Sequence, residues 1–126
     1  MQFTDNINQA GTLPQELKNI TYLYYFSNED GTISGVIPPQ LGLLKNLSFF
    51  DINFQDVQGT LPDTFYKLNN LSTLDLNDNK LTGNISINIC NLKNLFFFQA
   101  GNDEAGSNNF GGSTLPSCIG SMPTLG

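Results

Sequence analysis

The sequence predicts a solenoid, a fold in which similar coils of chain stack side by side. The main evidence is a period of 24 residues that holds at several positions at once over a length of 126 residues. The period is carried by glycines, by leucines and by Leu-Pro or Ile-Pro pairs: Gly11, Gly35, Gly59 and Gly83; Leu23, Leu47, Leu71 and Leu95; Leu13-Pro14, Ile37-Pro38 and Leu61-Pro62. Such a period is typical of architectures in which each unit buries its apolar edge only against its neighbours.

The stretch 71–92 shows how one coil is built. Leu74-Asp75-Leu76 alternates apolar and polar residues, as a half-buried strand does. Asn79 then turns the chain, because an Asn side chain can satisfy backbone groups where a strand ends. The remaining residues, punctuated by Gly83, return across the back of the coil to the next strand.

The complete pattern, L-x-x-L-x-L-x-x-N-x-L-x-G-x-I-P-x-x-L-x-x-L, resembles the plant-type extracellular subclass of leucine-rich repeat (LRR). The resemblance covers nearly the whole chain. It implies an α/β LRR solenoid that is right-handed, with a parallel β-sheet on the concave face and an irregular or 3-10 convex side. About five 24-residue repeats then form one domain, residues 1–126, with one continuous apolar core.

The first two repeats are the least regular. In the first, the period places the polar residues Gln2, Thr4 and Gln9 where apolar residues belong. In the second, Asn28 occupies an apolar strand position, and Gly31 replaces the Asn that follows the strand in the fourth repeat. We therefore expect the second repeat to have the least regular strand of the middle three.

The third and fourth repeats each depart from the pattern once. Gln55 replaces the Asn that follows the strand, and its side chain predicts a similar amide hydrogen bond. In the fourth repeat Ser86 follows Ile85 where other repeats have proline, and it completes a glycosylation sequence at Asn84.

The fifth repeat contains an insertion. The interval from Leu95 to Leu125 is 30 residues, six more than the period. The extra residues fall in 101–108, GNDEAGSN, a composition that predicts a protruding loop. It is either a functional loop on a rigid scaffold or a tolerated surface insertion.

Composition argues against several classes of function. The net charge is −6, from 5 basic and 11 acidic residues, which disfavours nucleic acid and anionic membrane surfaces. No run approaches the roughly 18 apolar residues of a membrane span, so no membrane insertion is expected. The chain has no histidine, which excludes Ser-His-Asp and Cys-His nucleophile schemes, and it has no Cys/His metal spacing. We therefore predict no enzyme activity, no metal and no cofactor.

Four Asn-x-Ser/Thr sequences predict N-glycosylation: Asn19-Ile20-Thr21, Asn46-Leu47-Ser48, Asn70-Leu71-Ser72 and Asn84-Ile85-Ser86. Chance in an Asn-rich chain is the alternative, but Asn46 and Asn70 recur one repeat apart, just before the strand. The first residues have neither the basic start nor the apolar core of a signal peptide. We therefore expect either a removed signal or a segment of a longer protein, and in both cases an extracellular or secreted glycoprotein.

Cys90 and Cys118 predict a disulfide. Ile89 and Ile119 are one coil apart in the pattern, so the cysteines lie on neighbouring coils, offset by two positions. Coils stack at about 4.7–4.9 Å, within the Cα separation of roughly 4.4–6.8 Å that a disulfide tolerates. The surrounding segments also resemble the back-side cysteines of plant receptor-like proteins. Two free buried thiols are the alternative.

Two aspartates form the one constellation with catalytic chemistry to weigh. Asp51 and Asp75 share an outward register on adjacent strands, about 5 Å apart, similar to the carboxylate gap of retaining glycosidases. With Asp78 they also suggest a weak Ca²⁺ site. We favour instead a solvated row with mild like-charge repulsion, composed of Ser27, Asp51, Asp75 and Gln99.

The concave face is the predicted contact surface. Exposed aromatic side chains on a rigid sheet suit recognition of a protein or peptide. Other aromatic residues expected on or beside this face are Tyr24, Phe54 and Phe96. The predicted contact residues are Tyr25, Phe49, Asp51, Thr73, Asp75, Phe97 and Gln99.

Two classes of non-enzymatic function follow, both acting through protein contacts outside the cell. We favour a structural unit that stacks head to tail on other copies of itself into a filament or continuous solenoid. This expects Leu125 at the start of a strand, so that the 24-residue period continues into the next copy. Alternatively, the chain is a ligand-recognition segment of a cell-surface LRR receptor ectodomain or a secreted LRR inhibitor. An ice-binding LRR protein is disfavoured, because no regular Thr ladder is present.

Overall fold

The structure, a computed structural model, describes residues 2–4, 11–28, 32–101, 108–111, 115–121 and 124–125. In these residues every coil combines short strands with a one-turn 3-10 helix, and all strand pairs are parallel. Side chains from all sides of the coils meet in one apolar core. The predicted stack of coils is confirmed.

Two parallel sheets run along the solenoid. The first has six strands in chain order: β1 (Gln2–Thr4), β3 (Tyr25–Ser27), β5 (Phe49–Asp51), β7 (Thr73–Asp75), β9 (Phe97–Gln99) and β11 (Thr124–Leu125). The second has five: β2 (Gly11–Thr12), β4 (Ile33–Val36), β6 (Asp56–Gly59), β8 (Lys80–Gly83) and β10 (Asn109–Phe110). The first sheet is the predicted concave sheet, whereas the second was not predicted.

In the described residues, five 3-10 helices form the remaining side of the coils: η1 (Gln15–Asn19), η2 (Pro39–Leu43), η3 (Asp63–Lys67), η4 (Ile87–Asn91) and η5 (Ser117–Ser121). Pro14, Pro38 and Pro62 are extended residues immediately before the first three helices. Proline suits this position because its fixed φ is compatible with the extended backbone and no N–H is needed there. The repeated Leu-Pro pair therefore marks where each coil enters its helix.

The backbone conformation explains why glycine recurs every 24 residues. Gly35, Gly59 and Gly83 end or nearly end strands of the second sheet with φ between +78° and +82°. A side chain at Gly83 would also bring its Cβ within 2.8 Å of the Thr60 methyl carbon. Glycine is required there because it alone adopts this conformation without a steric cost.

A ladder of amide side chains closes the coils where strands of the first sheet end. The Asn79 amide oxygen accepts the Val57 N–H at 3.0 Å, and its nitrogen donates to the Ile52 carbonyl at 2.7 Å. Gln55 makes the equivalent bond, accepting the Ile33 N–H at 2.8 Å. The predicted amide hydrogen bond of Gln55 is confirmed. Gln can replace Asn here because either side chain supplies both a donor and an acceptor.

The second repeat is more regular than expected. Its strand β3 has the same three-residue length as β5 and pairs with it in full register. Asn28 is buried immediately after this strand, and its amide nitrogen donates to the Gln55 side-chain oxygen at 3.0 Å. The expectation of an irregular strand was wrong, because Gln55 on the next coil accepts a hydrogen bond from the buried Asn28 nitrogen. Gly31 lies outside the described residues.

The insertion is narrower than 101–108. Asn108 is buried and acts as the ladder amide of the fifth repeat, accepting the Leu81 N–H at 2.9 Å. Gly101 also belongs to the coil, since its N–H donates to the Asn77 side chain at 2.8 Å. The predicted loop between them, residues 102–107, lies outside the described residues.

The register at the start of the chain corrects another expectation. Phe3 is the Cα partner of Phe26 in the first sheet. The apolar strand position is therefore occupied by Phe3 rather than by the polar Gln2 or Thr4. The 24-residue period predicted a register that is wrong by one residue here. The reason is that the first coil, from Phe3 to Phe26, is one residue shorter than each of the three coils that follow it.

The register of β11 also differs from the head-to-tail expectation. Leu125 pairs with Phe98, in the strand itself, rather than matching the earlier Leu95. Five residues lie between the end of η4 and the start of β9, but only two lie between the end of η5 and Thr124. The expected continuation of the 24-residue phase from one copy into the next is therefore wrong by three residues.

Candidate ligand-binding face

Two outward rows of side chains cross the first sheet. Alternation places Phe26, Phe50 and Leu74 in the core, so the residues on either side of each point outward. The first row follows the register Tyr25, Phe49, Thr73 and Phe97, all of them half-buried. The Tyr25 and Phe49 rings stack with centroids 4.2 Å apart and planes inclined by 9°.

The second row follows the register Ser27, Asp51, Asp75 and Gln99. Ser27 is 2% exposed and Asp75 is 7% exposed, so the expectation of a solvated row was wrong for these two residues, whereas Asp51 and Gln99 are half-buried. Each aspartate accepts a backbone N–H two residues further on, Asp51 from Asn53 at 2.9 Å and Asp75 from Asn77 at 3.1 Å. These carboxylates therefore hold the turn that ends each strand.

A groove lies across both rows. It has a volume of about 320 Å³ and is lined by Phe49, Asp51, Thr73, Asp75, Phe96 and Phe97. Five of the seven predicted contact residues line it. The other two, Tyr25 and Gln99, are register neighbours of lining residues. The structure thus brings the predicted contact set together on one face.

The electrostatic character of this face is acidic. Desolvation by burial raises the pKa of the Asp51 carboxyl above its ordinary value, and the hydrogen bond from the Asn53 N–H partly offsets this. The basic residues of the chain all lie outside the strands of the first sheet: Lys18, Lys45, Lys67, Lys80 and Lys93. Lys80 pairs with Asp56 on the second sheet at 2.5 Å.

The geometry of the aspartates supports neither of the two alternatives, a glycosidase-like carboxylate pair or a weak Ca²⁺ site. Within the described residues, no group of three His, Cys, Asp or Glu side chains is placed to hold a metal ion. Asp51 and Asp75 are register partners, as expected, but both engage the backbone of their own turns. We assign them no catalytic role.

Phe54 is an exposed aromatic residue just beyond the end of β5. It follows β5 with a φ of +52° and its side chain is 62% exposed. A left-handed backbone is unusual for a bulky residue. The other exposed aromatics expected here, Tyr24 and Phe96, immediately precede strands β3 and β9.

The structure contains a disulfide between Cys90 and Cys118, with Cα atoms 5.7 Å apart. It joins η4 to η5 and so links the last two coils on the helical side. Its ordinary Cα separation fits the expected offset of two positions.

The four predicted glycosylation sites are all exposed: Asn19, Asn46, Asn70 and Asn84. Asn46 and Asn70 use the nitrogen that would carry the sugar to donate to the preceding coil, to the Thr21 and Lys45 carbonyls at 2.9 and 2.8 Å. A glycosylated Asn keeps one N–H, so the modification and this bond are compatible. Glycosylation remains a prediction.

Sequence reasoning missed a contact between coils on the helical side. Tyr66 is buried, and its hydroxyl accepts the backbone N–H of Ser86 at 3.0 Å. The sequence does contain a sign of this bond, since Ser86 interrupts the series of prolines and therefore has a backbone N–H to donate. The glycosylation sequence at Asn84 offers a different reason for the same serine.

Several solved structures with the same fold are ectodomains of plant receptors. The SOBIR1 receptor-kinase LRR ectodomain from Arabidopsis thaliana has a TM-score of 0.84 and 26% identity, over 99% of this chain and 65% of that one. The BIR2 ectodomain from the same plant has a TM-score of 0.83 and 25% identity, over 94% and 59%. The ectodomain of the Arabidopsis receptor kinase HAESA, solved with an IDA peptide hormone ligand, has a TM-score of 0.79 and 33% identity, over 92% and 19%.

No protein-family model matches the chain, and no curated protein matches it. The chain spans less than two thirds of each of the three ectodomains. None of the helices in the described part of the chain is long and apolar enough to cross a bilayer.

The repeated strand, amide ladder and 3-10 helix define the class of protein as a leucine-rich repeat solenoid. Within that class, the chain resembles the extracellular LRR ectodomains of plant receptors, whose fold it shares. Its place is outside the cell, as for the ectodomains that share its fold.

Proposed function

We propose that this chain is a ligand-recognition segment of an extracellular LRR protein, a receptor ectodomain or a secreted inhibitor, that binds a peptide on its first sheet. The observation that supports this most is the groove of about 320 Å³ between Phe49 and Phe97. Ligand pockets run from about 300 to 1,000 Å³. This groove therefore suits side chains of an extended peptide rather than a folded loop.

The physical case rests on aromatic surface held in place by the sheet. Tyr25, Phe49 and Phe97 occupy strands of one sheet, whose backbone hydrogen bonds fix their spacing. Rigid aromatic side chains lose little conformational entropy when a partner binds, and they are enriched among residues that dominate interfaces. HAESA, which shares this fold, was solved with a peptide ligand.

Head-to-tail assembly was the other class of function. Its argument from phase fails, because Leu125 pairs with Phe98. We therefore take the recognition segment as the proposed function. Sedimentation of the purified chain at rising concentration distinguishes the two, since a recognition segment stays monomeric and an assembling unit grows.

The test of peptide recognition uses a library of short random peptides displayed on phage and selected on the immobilised protein. Peptides that bind should lose affinity by roughly tenfold or more with Phe49→Ala or Phe97→Ala, since truncating a central aromatic contact costs about 2 kcal/mol. Leu43→Ala and Ile87→Ala, at exposed apolar residues of η2 and η4, are the matched controls. Selected peptides that respond only to the controls would contradict the proposal.

A further inference from the structure

We propose that the groove accepts the side chain of one arginine from the bound peptide, between Phe49 and Phe97 and above Thr73. This rests on the proposed function, because it names the chemistry of the ligand that the same face binds. We call the space above Thr73 the Thr73 cleft.

The cleft exists because a small residue interrupts the aromatic row. Thr73 lies between Phe49 and Phe97 in the register of β5, β7 and β9. Neighbouring strands are about 4.7–4.9 Å apart, so the two phenylalanines stand roughly 9–10 Å apart. A flat group needs about 3.5–4 Å to each ring, or roughly 7–8 Å in all. A gap of this width therefore suits one planar group between the two side chains.

The ring of Phe49 is oriented to form one wall of this cleft. It stacks on Tyr25 with planes inclined by only 9°, so one of its faces is covered. Phe49 lies between Tyr25 and Thr73 in the row, and its second face is therefore turned toward the Thr73 side. The face of an aromatic ring carries negative electrostatic potential, which attracts a cation.

Carboxylates close one end of the cleft. Asp51 and Asp75 line the groove together with the aromatic residues. They follow Phe49 and Thr73 by two residues, so they share the outward face of their strands. No lysine lies in the strands of the first sheet, and the chain contains no arginine. Burial raises the pKa of Asp51, which means that its negative charge is poorly hydrated there.

These features together select a guanidinium group. It is planar, always charged, stacks on aromatic faces, and binds carboxylates through two parallel hydrogen bonds. An ammonium group satisfies the charge but not the planar gap. A ligand carboxylate would meet Asp51 and Asp75 with the same sign of charge, which opposes binding.

The experiment continues from the phage selection. Selected peptides should be enriched in arginine, and each is resynthesised with citrulline, which has nearly the same shape but no charge. We expect citrulline to weaken binding to the unmodified protein by roughly tenfold or more, because a hydrogen-bonded charge is lost. Replacement by lysine should weaken binding less than citrulline does.

A variant provides the second readout. Thr73→Phe completes the aromatic row and fills the cleft, so it should abolish the difference between arginine and citrulline peptides. Thr82→Phe, at an exposed position of the second sheet, is the matched control. The citrulline comparison uses the unmodified protein, so a folding failure of Thr73→Phe would not remove the test.

The outcomes separate the two proposals. Peptides that lose affinity with Phe97→Ala but bind equally as arginine and citrulline forms would overturn the arginine cleft and leave peptide recognition standing. Selection that yields no peptide sensitive to Phe49 or Phe97 would overturn both.

Discussion

The backbone N–H of Ser86 donates a hydrogen bond to the hydroxyl oxygen of Tyr66, 3.0 Å away on the preceding coil. The corresponding residues Pro14, Pro38 and Pro62 have no N–H to donate. Burial raises the pKa of the Tyr66 hydroxyl, while the bond from Ser86 acts in the opposite direction. The one break in the proline series is therefore matched to a buried hydroxyl one coil earlier.

Replacing Ser86 by proline tests this pairing. Ser86 has a φ of −66°, which proline adopts without strain, so Ser86→Pro removes the N–H donor and, with the hydroxyl, the acceptor for the Asn88 N–H. We expect the free energy of unfolding to fall by about 0.5–1.5 kcal/mol. In a Tyr66→Phe background the same change should cost less, because the hydroxyl that needs the donor is absent. Urea denaturation of unglycosylated protein measures all four forms.

Ser86→Ala is the control for this cycle. The Ser86 hydroxyl accepts the Asn88 N–H at 3.1 Å, and alanine removes that cap while keeping the Ser86 N–H. Equal coupling of Tyr66→Phe to alanine and to proline would show that the cap, not the N–H, explains the effect.

Gly42 lies where η2 packs so closely against η3 that there is no room for a side chain. A Cβ at this buried glycine of η2 would lie 2.4 Å from the Thr64 Cβ and 2.6 Å from the Thr64 carbonyl oxygen on η3. Gly42→Ala should therefore lower the free energy of unfolding by about 1–3 kcal/mol, the usual cost of overpacking. Gly111→Ala is the control, because its Cβ would meet no atom closer than 3.6 Å. Equal urea midpoints for the two variants would contradict this.

Asp51 predicts a pH-dependent difference in stability. Its pKa is raised in the folded state by burial, so the folded protein holds this proton more tightly than the unfolded chain does. The contribution of Asp51 to stability is thus fully present below the unfolded pKa of 3.8 and is lost as the pH rises through the folded pKa. Asp51→Asn, which keeps an acceptor for the Asn53 N–H, should be more stable than the original protein at pH 7.

The stability gain of Asp51→Asn should shrink as the pH falls through the folded pKa and should disappear below 3.8, where the carboxyl is protonated in both states. Thermal unfolding over a pH series measures it. Asp56→Asn is the control, because it removes an exposed ion pair with Lys80 worth about 0–1 kcal/mol and should not stabilise the protein. A gain that does not change with pH would reject this explanation.

Glycosylation predicts a change in mass. Asn46 and Asn70 should carry N-glycans, with Asn19 and Asn84 as further acceptors. Glycosidase treatment of protein secreted by a eukaryotic host should lower the intact mass, and Asn→Gln changes should remove the glycans one at a time. Asn94 is the built-in control, since it donates to the Asn69 carbonyl at 2.7 Å like its counterparts but is followed by Leu95-Phe96. An unchanged mass would reject glycosylation.

Much of the fold could be predicted from the sequence, because the same local residue pattern recurs in successive repeats. Leu-Pro pairs, positive-φ glycines and ladder amides act through neighbouring backbone groups. Their spacing therefore predicted coils, an amide ladder and the two outward rows that contain Phe49 and Asp51. The pairing of Cys90 with Cys118 also followed from coil spacing.

Only the tertiary structure decided features that depend on distances between coils. The period could not show that the last coil shortens between η5 and β11, and so it displaced Leu125 by three residues. It could not show that Asp75 is buried, because burial depends on neighbouring coils as well as on alternation. The bond from Ser86 to Tyr66 and the Thr73 cleft likewise arise only when one coil lies against the next, since each combines residues from different repeats.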